Sequence, residues 1–332
     1  MTRAWVASVE GARFFIVGGA GFIGSHFVDH LLTEGGASQV TVYDNFSSGR
    51  EWHVEAHASD PRFRIVRGNV EDSTRLRKAM DGHQLVIHLA SNPDIARAAI
   101  EPDVDFHQGT ALTHAVVEAM RTSSAKRILY ASGSGVYGDF GQQLLAEDHG
   151  PLLPISTYGA SKLAGEALIA SYSFMFGLSG CAFRFGNVVG PRQTHGVGFD
   201  FARRLLRDPW QLQILGDGSQ RKSYVYISDI ISAVLRAHTH TEEAYQVYNV
   251  ATADTISVQE IAELAVECVG LARESVRFEF TGGDRGWKGD VPQVRLDTTR
   301  IRSLGWSCQH SSRQALHKAI HAMLPDMKSG RM

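Results

Sequence analysis

Tyr158 and Lys162 stand four residues apart in the segment Tyr158-Gly159-Ala160-Ser161-Lys162. On a helix that spacing puts both side chains on one face. A phenol with a pKa of about 10 is a poor base at neutral pH. An ammonium beside it favours the phenolate. A phenolate so held can take a proton from a hydroxyl while hydride leaves the same carbon. The pattern Tyr-x-x-x-Lys alone is common in helices, and its meaning depends on whether a hydride acceptor is bound nearby.

A second constellation supplies that acceptor. Gly18, Gly21 and Gly24 are spaced through Gly18-Gly19-Ala20-Gly21-Phe22-Ile23-Gly24, after an apolar run and before a helical stretch. The first glycine permits a tight turn, the second lets a pyrophosphate approach the backbone, and the third lets helix and strand pack closely. The helix N-terminus then offers free N–H groups and positive potential to phosphates. Asp44 follows Gly24 by twenty residues, where a carboxylate accepts hydrogen bonds from an adenosine ribose. Its charge repels a 2′-phosphate, so NAD is expected rather than NADP. Arg50, six residues further on, reads as a solvated charge.

The elements needed to position these groups are visible as periodicities. Residues 14–17, 40–43, 63–66, 85–88 and 127–130 are short apolar runs. Residues 22–33, 72–80 and 110–122 between them have helical spacing. This alternation predicts an α/β fold, a Rossmann-type doubly wound parallel sheet. From about residue 186 the texture changes. Loops rich in Gly, Pro and Asp are expected at 186–198, 208–218 and 281–293, with helices at 199–207, 227–238, 257–270 and 311–323. The domain reading is a dinucleotide-binding part over 12–185 that includes the Tyr158 helix. A smaller mixed α/β substrate part over 186–323 follows, some of its chain crossing back to the main sheet. Residues 1–11 and 325–332 read as loose tails.

The glycine spacing together with the Tyr158/Lys162 segment resembles the extended short-chain dehydrogenase/reductases, in particular their sugar-nucleotide epimerase/dehydratase branch. Further matches are His88-Leu89-Ala90, Gly135-Val136-Tyr137-Gly138, Arg184-Phe185-Gly186-Asn187-Val188-Val189-Gly190-Pro191, Leu215-Gly216-Asp217-Gly218 and Leu304-Gly305-Trp306. The resemblance spans about residues 13–323. It implies NAD as cofactor, held by Gly18, Gly21, Phe22, Ile23, Gly24, Asp44, Asn45, Asn69, Val70, Leu89, Ala90, Ser91 and Phe185, with Tyr158 and Lys162 meeting the nicotinamide end. It implies a UDP-sugar substrate held by Asn187, Gln213, Lys222, Arg285 and Asp290. It also implies a homodimer paired through residues 110–122 and 158–176.

The chain departs from the family in ways that bear on chemistry. The family's catalytic Ser or Thr falls here on Gly133, in Ala131-Ser132-Gly133-Ser134-Gly135. Ser134 is the first substitute and Ser132 the second. Related dehydratases carry an Asp-Glu pair just after that position, and related decarboxylases a Glu two before the tyrosine; this chain has Ser134 and Gly135. Without an acid there, elimination and decarboxylation lose their helper, which favours 4-epimerisation. UDP-glucose/galactose and UDP-glucuronate/galacturonate are both open. The Ser-Gly-rich loop at 132–135 with its free hydroxyls, the space at Gly186, where a larger residue is common, and the nearby Arg97 lean toward the uronate. Another reductase or dehydratase, or a non-catalytic NAD-binding protein, are the rivals.

Composition narrows the remaining classes. Lys plus Arg is 33 and Asp plus Glu 35, so no long-range field invites nucleic acid. No run of 18 apolar residues suggests a spanning helix. Cys181, Cys268 and Cys308 are scattered without a CxxC pair, which fits a reducing cytoplasm. Among the fifteen histidines, His26 and His30 are four apart on a helix and His238 and His240 two apart. Neither pair has an obvious third ligand, so no metal is expected.

Overall fold

The computed structural model describes residues 8–332. Seven strands build one sheet: β1 (Arg13–Val17), β2 (Gln39–Asp44), β3 (Phe63–Arg67), β4 (Leu85–His88), β5 (Arg127–Gly133), β6 (Ser179–Phe185) and β7 (Tyr245–Val250). Their order is β7-β6-β5-β4-β1-β2-β3, and every pairing is parallel. The winding direction reverses between β1 and β4. Chains leaving those two strands turn opposite ways and open a crevice at their C-terminal ends.

Successive side chains of β1 feed opposite layers, as a period of two requires. Phe14 and Ile16 join the core under helices α1 (Phe22–Thr33) and α6 (Ile227–His240). Phe15 and Val17 join the core under α2 (Ser73–Met80), α3 (Leu112–Arg121) and α4 (Thr157–Phe176). All four are fully buried, which is why the strand reads as an unbroken apolar run. In α1, Phe27, Val28, Leu31 and Leu32 repeat at helical spacing and point inward. Each such burial contributes roughly 1.5–3 kcal/mol.

The ends of α4 are fixed locally. The Ser156 hydroxyl accepts from the Gly159 amide at 3.0 Å, and Gly177 closes the helix at φ 69°, in the left-handed region. Ahead of α3 the chain makes a π-helical turn, Phe106–Ala111. A Cβ on Gly109 in that turn would lie 2.6 Å from the Ser161 hydroxyl, so the bare glycine lets the two helices touch.

The second lobe contains α5 (Val197–Arg207), α7 (Val258–Val269) and α8 (Ser312–Lys328), which pack together. Serine capping boxes start α7 and α8. Its apolar core runs without a break into the layer under α1 and α6. β7 returns from this part of the chain to pair with β6.

Three expectations change. The stretch 186–198 contains a strand, Asn187–Val189, paired with Tyr224–Tyr226. The stretch 208–218 contains Gln211–Ile214, paired with Arg277–Phe280. Both are short and have partners far away, so no local pattern marks them. The C-terminal tail is not loose: α8 continues through Pro325 to Lys328, and Arg331 pairs with Glu55.

Candidate active site

A cavity of about 1010 Å³ opens along the C-terminal ends of β1, β4 and β5 and continues into the second lobe. Its first wall is backbone. Gly18 has φ +82°, and a Cβ there would come 2.7 Å from the Ala90 nitrogen. A Cβ on Gly24 would come 2.4 Å from the Gly18 carbonyl oxygen. Neither position accepts a side chain without moving backbone. Gly21, Phe22, Ile23 and Gly24 line the cavity at the start of α1.

Asp44 ends β2 at the same wall and is 7% exposed. Its carboxylate accepts from the Ala20 amide at 2.9 Å and the Phe46 amide at 2.8 Å. Burial raises its pKa, and those two amides oppose the rise. Gly49 must be bare here, because a Cβ would sit 2.9 Å from the carboxylate. Asn45, Asn69, Val70, Leu89, Ala90 and Ser91 extend the wall. The Tyr43 hydroxyl donates to the Asn69 carbonyl at 2.9 Å and fixes that turn. A bare-backbone cradle, a helix N-terminus and a buried carboxylate twenty residues on fit a pyrophosphate and an adenosine ribose, which is the shape of NAD.

Tyr158 and Lys162 face the cavity from the first turns of α4. Lys162 is buried; its Nζ donates to the Ala131 carbonyl at 2.8 Å and lies 5.4 Å from the centre of the Tyr158 ring. Burial lowers the Lys162 pKa to about 8, with Asp105 opposing the shift. Burial raises Tyr158 to about 12, the Ser91 hydroxyl pulling it down and Asp105 adding to the rise. In the protein alone the phenol is therefore protonated at neutral pH. Additional positive charge is required to make it a base.

The loop opposite the pair distinguishes the two candidate serines. Ser132 is buried and its hydroxyl donates to Glu166 at 2.5 Å, while Glu166 pairs with Arg184 at 2.8 Å. Its proton is committed inward, which corrects the expectation that it could serve the substrate. Ser134 lines the cavity, and its hydroxyl has no hydrogen bond among the described residues. Gly133 is extended (φ −164°), and a Cβ on it would meet nothing within 4 Å. A Cβ on Gly159 would lie 2.4 Å from the Gly135 carbonyl oxygen. That bare contact seats the serine loop directly on the tyrosine helix.

The second-lobe wall is built from side chains. Phe185, 6% exposed, and Asn187 line it; the Asn187 amide donates to the Ser223 carbonyl at 3.2 Å. Lys222 and Asp290 line it as a pair, 2.5 Å apart, with the ammonium 4.9 Å from the centre of the Trp287 ring.

Two expected residues lie outside the wall. Gln213 sits on an exposed position of the Gln211–Ile214 strand, its carbonyl accepting from Arg204. Arg285 turns away to Asp139 at 2.6 Å and to the Asp290 carbonyl. Arg97 also stays out, paired with Glu101 at 2.6 Å. The space expected beside Gly186 is taken by the Ser223 hydroxyl, 2.5 Å from where a Cβ would stand.

The structure adds residues that the sequence reading missed. Asp105 is buried behind the dyad, accepting from Asn92 at 2.9 Å and from Thr157 at 2.7 Å. It immediately precedes the π turn, which leaves no readable pattern. Gln193, His195 and Arg204 line the second-lobe wall. The first two follow directly on the Gly190-Pro191 match and were within reach of it.

Known proteins are similar to this chain in sequence and architecture. The UDP-glucose 4-epimerase of Mycolicibacterium smegmatis is 30% identical over 93% of this chain and 97% of its own. A crystal structure of a UDP-galactose 4-epimerase superposes with a TM-score of 0.83 at 34% identity, covering 95% of this chain and 99% of that one. The dTDP-glucose 4,6-dehydratase DesIV of Streptomyces venezuelae, solved with NAD bound, superposes at 0.87 with 25% identity, covering 96% and 98%. Residues 14–251 match the profile of the NAD dependent epimerase/dehydratase family. With its cradle intact and its tyrosine and lysine in the cavity, this chain belongs to that NAD-dependent family of enzymes.

Proposed function

We propose that this enzyme is a UDP-sugar 4-epimerase acting on UDP-glucose and UDP-galactose. The carrying observation is the loop facing the dyad, Ser132–Gly135, which presents the Ser134 hydroxyl and glycines but no carboxyl group. Removing a C6 hydroxyl needs an acid at that loop; inverting C4 does not.

Bound NAD supplies a reversible hydride acceptor and a positive ring. Tyr158 takes the proton of the sugar 4-hydroxyl at its phenolic oxygen. Lys162, fixed by the Ala131 carbonyl, keeps an ammonium beside that phenol and stabilises the phenolate. Ser134 donates to the sugar oxygen in place of the absent side chain at Gly133. The 4-keto sugar swings about its diphosphate bonds, and Tyr158 returns the proton to the 4-oxygen as hydride comes back to the opposite face of C4. Asn187 and Lys222 hold the diphosphate, and Asp290 holds the uridine ribose.

The C6 group is taken to be hydroxymethyl. Two of the three features that leaned toward a carboxylate do not support it: Arg97 is engaged with Glu101, and the Gly186 space holds Ser223. The protein is also proposed to dimerise through the outer faces of α3 and α4. Phe174 and Met175, 75% and 72% exposed at the end of α4, support that reading.

Parallel incubations with UDP-glucose, UDP-glucuronate and dTDP-glucose, read by proton NMR, test the proposal. Growth of the galacto anomeric signal from UDP-glucose is expected. A 4-keto-6-deoxy product from dTDP-glucose would overturn it in favour of a dehydratase. No change in any substrate with NAD bound would favour a non-catalytic role.

A further inference from the structure

Helices α7 and α8 pack in the second lobe. Where they meet, the Cys268 sulfur and one ring nitrogen each of His317 and His321 all lie within 4.8 Å of one another. The two histidines are four apart on α8, with ring centres 4.4 Å apart and planes at 56°. Cys268 is buried on α7, and His321 is exposed. None of the three lines the NAD cavity. None of the three side chains makes a hydrogen bond or ion pair among the described residues. The adjoining charges, Glu267 and Arg313, neutralise each other at 2.9 Å.

We propose that Cys268, His317 and His321 form a binding site for a zinc-class divalent ion, with water as the fourth ligand. One thiolate and two neutral imidazoles are the donor set such an ion prefers, whereas Mg²⁺ and Ca²⁺ require oxygen ligands. Tetrahedral bonding sets ligand atoms about 3.3–3.6 Å apart, given bonds of ~2.3 Å to sulfur and ~2.0–2.1 Å to nitrogen. The cluster closes to that spacing by side-chain rotation, and exposure at His321 leaves a path for the ion and room for the water. Binding forms one metal–sulfur and two metal–nitrogen bonds and releases the thiol proton to solvent, with no change of oxidation state. The ion ties α7 to α8. At the start of α8 the Ser312 hydroxyl accepts from the Tyr224 amide at 3.0 Å, and Tyr224 lines the cavity, so the clamp braces the second-lobe wall.

The test is a titration of the metal-free full-length protein with Co²⁺ in the absence of substrate. A thiolate-to-cobalt charge-transfer band saturating at one equivalent is expected, and Zn²⁺ should bleach it. Cys268→Ser should abolish the band. His321→Ala, at an exposed position that folding does not require, should weaken binding at least about tenfold. Thermal unfolding should rise with Zn²⁺ in the parent and not in Cys268→Ser. Absence of a band in the parent, or a band of equal strength in both variants, would overturn the proposal.

Discussion

The two walls of the cavity hold their ligands by different means. The NAD wall is almost all backbone: Gly18 and Gly24 are bare because a Cβ at either would strike main-chain atoms, and Asp44 is fixed by two amides. The second-lobe wall is made of side chains that meet from far apart. Lys222 reaches Asp290 across 68 residues, and just outside the lining Arg285 reaches Asp139 across 146. A backbone constraint selects one residue type at one position. A side-chain pairing can be satisfied by many combinations. The first wall therefore tolerates almost no change, and the second can be rebuilt by many combinations of side chains.

The comparison breaks most sharply at the residue both walls share. Tyr158→Phe removes the proton acceptor but leaves both walls intact. Turnover should fall by roughly 10²–10⁴, the range for lost general acid–base catalysis. Binding of NAD and UDP should stay within about twofold of the parent, measured by calorimetry. A loss of NAD affinity on the same scale as turnover would mean that the phenol belongs to the NAD wall and not to the chemistry.

Lys162 provides the next largest effect, with opposite signs for stability and activity. Its pKa is lowered to about 8 in the fold, from 10.5. Between those pH values the unfolded chain binds the extra proton, so the folded state gains stability as pH rises through that window. Below about pH 8 the buried ammonium is a standing cost, on the order of 3 kcal/mol by the shift. Losing the hydrogen bond to Ala131 offsets about 1 kcal/mol of it. NAD-free Lys162→Met should thus be inactive yet about 2 kcal/mol more stable at pH 7. The gain should fade toward pH 10.5. Chemical denaturation at pH 7 and pH 10 checks this, and equal gains at both values would mean that burial does not strain the ammonium.

The same division explains what the sequence disclosed. The strand–helix alternation, the glycine cradle, Asp44 and the Tyr158/Lys162 pair were legible, because each is set by local spacing or by a backbone that admits one residue type. Gln213 and Arg285 stand outside the lining for the opposite reason. The family resemblance implied ligand contacts for them, but Arg204 and Asp139, from other elements, engage those groups. The Ser132 and Ser134 alternatives could not be separated without Glu166, which arrives from α4. Asp105 is invisible because a π turn has no sequence period.

A smaller effect should separate Lys222, which lines the cavity, from Arg285, which does not. Lys222→Met removes a charge from the cavity lining, and UDP affinity should drop about tenfold, as for a lost charged hydrogen bond. Arg285→Ala removes a half-exposed ion pair outside the lining. Its effect on UDP affinity should stay under about twofold, since such pairs contribute about 0–1 kcal/mol. UDP calorimetry on both variants orders them. If Arg285→Ala proves the more damaging, the guanidinium leaves Asp139 for the diphosphate when substrate binds.

The smallest effect falls on Gly133, a cavity glycine at which a Cβ would meet nothing within 4 Å. Gly133 is extended, and a side chain there meets open space, in contrast to Gly18 and Gly24. Gly133→Ser should therefore fold with a stability change within about 0.5 kcal/mol. Its new hydroxyl enters the cavity beside Ser134, whose own hydroxyl is unengaged among the described residues. If Ser134 already bonds the sugar oxygen, the added hydroxyl is redundant and turnover should change less than about threefold. Ser134→Ala should then lower turnover by about tenfold, a hydrogen bond of about 1.4 kcal/mol, and Gly133→Ser in that background should restore it. A large gain from Gly133→Ser alone would instead mean that Ser134 is too far from the reacting oxygen. The enzyme would then be running without a hydroxyl at that place.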